Sequence, residues 1–326
     1  MKILDHPTIE RFRNALVFFG IFILATLLSQ RTAQGEIIFL SAGNLTDALR
    51  SVTPVGIAAL AMTLVIIAGG IDLSVGSIVA LSGVVVARLL AEWHGAANAG
   101  LHIAIAISAT LLVCTLVGLL NGFLTACLSI QPFVITLASM IGIRGLALWL
   151  SNNERIGLGV GQDAPGVFGA ALSSKATMIV LFGALSLLFL AILNRTVFGR
   201  YLRALGDNAS AARHAGLPVR KIQVAVYGLS GFMAGVAGLL IAARTTTGDP
   251  NAGIAMELDT IAVVVIGGAS LAGGRGGILG TLNGTLIVGM VTNILGLRNV
   301  DFNLQLVLKA CIIVLAVALQ PSKRRE

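Results

Sequence analysis

The sequence predicts an all-α transmembrane protein of about ten membrane-spanning helices, some short or broken, with N- and C-termini in the cytoplasm. Three observations predict it. Hydrophobic residues are 56% of the 326 and charged residues 11%, with a mean hydropathy of +0.95, where a water-soluble domain carries roughly a quarter charged residues. Ten apolar runs approach the length of about twenty residues that a helix needs to cross hydrocarbon. Lys and Arg gather at the two ends and in one central loop, the distribution that the positive-inside rule produces.

The runs cover approximately 14–30, 51–71, 77–91, 101–128, 133–150, 176–194, 222–243, 259–273, 276–296 and 303–320. The first, with Leu16 to Leu28 at its centre, lacks a small-residue cleavage site and is followed by Gln30, Arg31 and many more spans. It is expected to stay as a helix rather than leave as a signal peptide. The third and eighth runs are short, so the stretches 71–76 and 267–277 are candidates for breaks or re-entrant turns. Lys2, Arg11 and Arg13 place the N-terminus inside. Six crossings later the loop at about 195–221 carries Arg195, Arg200, Arg203, Arg213, Arg220 and Lys221 against the single acid Asp207, which returns it to the same side. Four more crossings bring Lys323, Arg324 and Arg325 back inside, and the outer loops near 31–50 and 151–175 are close to balanced in charge. The result is a single transmembrane domain over 1–326 in an inner or plasma membrane. The net charge of +8 belongs to this topology and not to a nucleic-acid surface.

Thirty-nine glycines lie among the apolar runs, where small residues let helices approach closely in lipid. Gly118 and Gly122, Gly231 and Gly235, and Gly280 and Gly284 each repeat at four residues, on one helical face; they predict packing within one subunit or, alternatively, a subunit interface. Val65 to Leu73 echoes Val263 to Leu271. A second echo, Gly118 to Gly122 against Gly280 to Gly284, has a different offset, so the two do not form one simple repeat.

Enzyme chemistry finds no support. There is no Gly-Lys-Ser or Gly-Lys-Thr phosphate loop and no His-Glu-x-x-His. Cys114, Cys127 and Cys311 sit inside apolar runs as small packing residues, and the four histidines are scattered, so no metal site is expected and no cofactor is expected on this chain. If the chain moves a solute uphill, the energy comes from elsewhere.

The central loop is the most informative stretch. Asn208 can cap a helix start, Ala209 to Ala215 favours helix, Gly216 suits a left-handed exit, and Pro218 blocks continuation. The short helix this predicts is too brief to stand alone. It must dock on the protein's own helices or insert into a cytoplasmic partner.

Polar residues inside the runs offer a second candidate site. Asp72 interrupts the second and third runs, either as a pathway or gate residue or as a cap on the third helix. Arg144, in the fifth run, either snorkels to the interface or pairs with an acid. Uncharged amides and hydroxyls donate and accept hydrogen bonds without a full charge to desolvate. That makes Asn121, Asn283, Thr285 and Asn293 candidate pathway residues beside Asp72, each of which could equally form an interhelical hydrogen bond. Glu257 and Asp259 are placed in the outer loop before the eighth run.

Taken in order, these residues resemble the sugar-type permeases of bacterial ATP-binding-cassette importers. The resembling stretches are Gly69-Gly70-Ile71-Asp72-Leu73-Ser74-Val75-Gly76-Ser77, Asn121-Gly122, Gln131-Pro132-Phe133-Val134-Ile135-Thr136-Leu137 and Arg144-Gly145, followed by Gly206, Asn208, Ala211, Ala212 and Gly216, then Glu257 to Ala262 and Gly267 to Gly276. The resemblance spans most of the chain. It implies that the segment Gly206, Asp207, Asn208, Ser210, Ala211, Ala212 and Gly216 contacts a cytoplasmic ATPase subunit, which would use ATP and Mg. Ser210 stands where such loops often carry Glu, so a salt bridge from that position is not implied. The resemblance also implies a periplasmic or lipid-anchored substrate-binding protein and a second permease, identical or sister. A stand-alone secondary transporter would need a coupling-ion site, for which Asp72 is the prominent acid in the first half. A structural membrane protein would need no polar pathway, and branched-chain amino-acid permeases are distant relatives of the same class.

Overall fold

The computed structural model describes residues 7–91, 98–128, 130–159, 161, 163–301, 303–308 and 310–311, with 7–15 as backbone. The chain is an all-α membrane protein. Its helices are α1 Pro7–Leu28, α2 Ala42–Ile67, α3 Val75–Ala91, α4 Ala99–Leu128, α5 Pro132–Leu150, α6 Ala164–Ser173, α7 Lys175–Arg195, α8 Val197–Asp207, α9 Ala209–His214, α10 Val219–Thr245, α11 Met256–Ile266 and α12 Ile278–Leu297. Two two-residue strands, β1 Ile156–Gly157 and β2 Thr247–Gly248, pair antiparallel.

Six described helices, α2, α4, α5, α7, α10 and α12, are long and apolar enough to cross a membrane. The predicted run at 259–273 is shorter than expected: α11 is an eleven-residue helix that begins at Met256 and stops at Ile266. Glu257 and Asp259 therefore belong to its first turn and not to a loop before it. The stretch 151–175, read as a loop, contains β1 and the ten-residue α6. The tenth run is helical at 303–308 and 310–311, and its remainder, like the basic residues Lys2 and Lys323 to Arg325, lies outside the described residues.

Burial separates inner from outer helices. In its most apolar stretch, 83% of α2 and 67% of α10 is buried, against 22% of α4 and 11% of α5. The outer helices turn Leu112, Leu116, Ile141, Val180 and Leu187 outward, as lipid-facing surfaces do. The inner pair is surrounded by α3, α4, α7, α11 and α12.

All three glycine pairs act inside the chain. A methyl on Gly118 would overlap the Tyr227 carbonyl, and one on Gly122 would lie 2.7 Å from the Val224 α-carbon, so α4 and α10 meet backbone to backbone. Gly231 and Gly235 face Cys114 from the other side of the same crossing, and Gly280 and Gly284 press on Gly267 and Val263 of α11. Cys114 is buried as a packing residue; Cys127 and Cys311 are exposed, contrary to expectation, on outward-turned faces.

The sequence echo has a structural counterpart shifted by one residue. α2 ends with Ala68 N donating to Leu64 O, Gly69 N to Ile66 O and Gly70 N to Val65 O; α11 ends with Gly267 N to Val263 O, Gly268 N to Val265 O and Ala269 N to Val264 O. Gly69 (φ +82°) and Gly268 (φ +93°) take the left-handed residue of each cap, so Gly69 matches Gly268 rather than Gly267. The likeness ends there. α11 folds back onto α12, whereas α3 packs against α10, α4 and α5.

Candidate functional site

Two of the described segments that leave helical geometry among the packed helices carry the charged candidates. Each must satisfy its own polar groups, because hydrocarbon supplies no partners. The first, between α2 and α3, centres on Asp72, which is fully buried. Its Oδ1 accepts the Ser74 amide at 3.0 Å and the Ser74 hydroxyl at 2.5 Å, and Asn121 Nδ2 of α4 donates to that same hydroxyl oxygen at 3.0 Å. The Ile71 carbonyl accepts the Thr136 hydroxyl at 3.2 Å. Asp72 thus braces the turn that starts α3. The Ser230 hydroxyl of α10 lies beside the same carboxylate.

The second segment connects α10 to α11. It runs back along α3: Gly248 meets Gly83 and Ala87, and Gly253 meets Gly76 and Val79. β1 pairs with its start, Arg155 Nε bonds Asp249 Oδ2 at 2.9 Å, and Arg144 Nη1 donates to both the Pro250 and Ala252 carbonyls at 2.7 Å. Arg144 therefore ties down this segment through carbonyls, with Asp249 and Glu257 as neighbouring negative charge. Neither snorkelling nor acid pairing foresaw these carbonyl partners. Charged hydrogen bonds of this kind are worth about 1.5–3 kcal/mol each. Arg144→Met is expected to lower the thermal midpoint of the detergent-purified protein by several degrees, and Arg144→Lys, whose ammonium can reach two acceptors, by less than half as much.

A cavity of about 600 Å3 lies between α2, α11, α12 and the end of α10. Polar groups along its wall include Asp47, Ser51, Arg244, Asp259, Thr292 and Asn293. Asp47 pairs with Lys175 at 2.8 Å, and Arg244 donates to the Ser51 carbonyl at 3.4 Å. Asn293 exchanges amide hydrogen bonds with Asn44 of α2 at 2.9 and 3.0 Å, so the cavity wall is stitched across two helices.

Of the five candidate pathway residues, Asn293 lines this cavity. Asp72 and Asn121 are joined to each other through Ser74, away from it. Thr285 is buried against Gly56 and donates to the Thr281 carbonyl, Thr281 meets Thr63 at 2.6 Å, and Asn283 is half-buried on α12. Asp47, Arg244 and Asp259 were missed as lining residues. The run of apolar neighbours hides which charges converge from three separate helices.

The central loop forms the helix pair α8–α9. Thr196 caps α8 by accepting the Gly199 amide, and Leu202 and Leu205 bury its apolar face. Asn208 caps α9, its Oδ1 accepting the Ala211 amide at 2.9 Å. Gly216 ends α9 at φ +78°, with Leu217 N returning to Ala212 O at 3.1 Å. Ala212 is buried, whereas Asp207, Asn208, Ser210, Ala211 and Gly216 are exposed. One residue fastens α9 to the bundle and the rest of it forms a free, shaped surface. Gly206 does something sequence spacing did not foretell: a methyl there would overlap the carbonyl oxygen of Ile67 at the end of α2.

With this geometry in view, comparison with known proteins is direct. Residues 44–317 match the family described as branched-chain amino acid transport system / permease component. The Escherichia coli K12 ribose import permease protein RbsC is 37% identical over 289 residues, 88% of each chain. The Bacillus subtilis ribose import permease protein RbsC is 37% identical over 311 residues, 94% of this chain and 92% of its own. The Azospirillum brasilense L-arabinose ABC transporter permease protein AraH is 37% identical over 294 residues, 88% of this chain and 83% of its own. No solved structure matches the chain. A match over residues 44–317 takes in both irregular segments, the cavity and α8–α9, and the chain belongs to this family of transport-system permease components.

Proposed function

We propose that this chain is the membrane-spanning permease subunit of an ATP-binding-cassette importer that carries a sugar or similar small polar solute across the bacterial inner membrane. The observation that carries the reading is the near-full-length likeness to permeases named for ribose and L-arabinose. The exposed α9 supports it as the surface for a cytoplasmic ATPase, which would use ATP and Mg. The chain itself is a transport subunit and not an enzyme. Ten crossings with both termini inside put α8–α9 on the cytoplasmic side, and a substrate-binding protein would deliver solute to the other. Two permeases, identical or sister, would share the pathway, with Asn293 on its wall and Asp72, Asn121, Asn283 and Thr285 holding the surrounding helices in register.

The cavity suits a polyhydroxylated solute. Its carboxylates accept from hydroxyls, the Arg244 guanidinium donates to them, and the Asn293 amide does both.

Co-purification tests the reading. The chain is expressed with its neighbouring genes, extracted gently, and examined for a bound ATPase, alongside Gly216→Val. A β-branched residue at the left-handed exit is strained by roughly 1–2 kcal/mol, and α9 is too short to absorb this. The ATPase is expected to stay with the wild-type chain and to be retained about tenfold less well by the variant, 1.4 kcal/mol being a factor of ten. An intact, folded chain that retains no ATPase would overturn the importer reading.

A further inference from the structure

Three backbones meet without side chains between them at the end of α8. Gly206 lies against the carbonyl of Ile67, the last residue of α2, and a methyl on it would also come within 2.5 Å of the Gly274 nitrogen. That nitrogen donates to the same Ile67 carbonyl at 2.9 Å. The last carbonyls of a helix lack intrahelical donors, so the loop between α11 and α12 supplies one to α2. Beside it, a methyl on Gly273 would lie 2.8 Å from the Gly206 carbonyl oxygen and 3.1 Å from the Gly69 α-carbon, while Gly274 sits beneath the Asp207 carboxylate. Gly273 and Gly274 are both buried.

Contacts through long side chains can be absorbed by rotamer changes, whereas close-packed backbone transmits displacement. The elements joined here are also the ones that matter to the cavity. α2 contributes Asp47, Ser51 and Val55 to its wall, α11 contributes Asp259, and α12 contributes Gly289, Thr292 and Asn293. Beyond Ile67, the chain leads directly into the Asp72 turn and α3.

We infer that Gly206, Asp207, Gly273 and Gly274 form a rigid junction that delivers a displacement of α8–α9 to α2 and to the α11–α12 loop in one step, and so to three walls of the cavity. The inference rests on the proposed function, in which α9 receives the ATPase stroke. It assigns these four residues a positioning role: they touch neither solute nor nucleotide and act through the helices they join.

The test uses the whole complex of permease and ATPase in nanodiscs and proteoliposomes, with Gly273→Ala and Gly274→Ala compared with wild type. Three quantities are read: ATPase retained, basal hydrolysis, and solute imported per ATP. The expected result is full ATPase retention, basal hydrolysis within about twofold, and import per ATP reduced about tenfold, inside the 5–150-fold range of ordinary coupling energies. Unchanged import per ATP with the ATPase bound would overturn the junction while leaving the importer reading intact; loss of ATPase from the wild-type chain would instead strike the importer reading. If the alanine variants fail to accumulate, hydrogen exchange on the wild-type complex decides the point. Protection of the Gly274 amide that is the same without nucleotide and with bound ATP supports a junction moving as one body, and protection lost on ATP binding overturns it.

Discussion

Gly118→Val is expected to eliminate the folded protein, leaving aggregated or degraded chain where wild type gives a single symmetric peak by size-exclusion chromatography in detergent. The valine Cβ would overlap the Tyr227 carbonyl oxygen and lie 3.0 Å from both the α-carbon and the nitrogen of Gly231. All three obstacles are backbone atoms of α10, so no rotamer change relieves them. The helices must separate, and α10 is the most connected helix of the bundle. Overpacking in a well-packed core typically costs about 1–3 kcal/mol, and more where backbone must move. In lipid the loss is felt in full, because close packing rather than a hydrophobic effect holds helices together there. Gly142→Ala is the control. Nothing lies within 4 Å of its added methyl, and a helix-interior Gly to Ala change favours the helix by roughly 0.5–1 kcal/mol, so the peak should be unchanged or sharper.

Asp72→Ala is expected to lower the thermal midpoint markedly and to reduce uptake by at least tenfold, while Asp72→Asn keeps both near wild type. In the alanine variant the Ser74 amide and hydroxyl lose their shared acceptor in a site closed to water. The Asn121 amide is left bonded to a hydroxyl that no longer has a fixed direction. Leaving a buried donor unpaired costs about 1–3 kcal/mol. Asparagine keeps the Oδ1 acceptor, and its amide can donate to the Ser230 hydroxyl oxygen that neighbours the wild-type carboxylate. Near-normal uptake by Asp72→Asn would identify a brace. Abolished uptake with an unchanged thermal midpoint would show that the charge itself is required, and would put Asp72 on the pathway after all.

These two residues show how far the sequence could be read. Gly118 and its four-residue spacing announced a close helix contact, but equally permitted a subunit interface; the facing Tyr227 and Gly231 of the same chain decide for internal packing. Asp72 stood between gate and cap because Asp-x-Ser before an apolar run is compatible with either. Only the position of Asn121, forty-nine residues further along and hydrogen-bonded through Ser74, favours the brace.

By itself the sequence determined the membrane class, the placement of most of the long helices, the family signature and the local form of α8–α9, down to the Asn208 cap and the Gly216 exit. Those features depend on hydropathy over about twenty residues or on backbone chemistry within a few, and both are written locally. The tertiary structure decided what depends on distant segments meeting. It ended α11 at eleven residues and turned the preceding segment back along α3 under the Arg144 clamp. It gathered Asp47, Arg244, Asp259 and Asn293 around one cavity, and it set Gly206 against Ile67 and Gly274. A glycine chosen for close approach looks the same in sequence as one chosen for a turn. What it lets in is known only when the neighbouring backbone is in place.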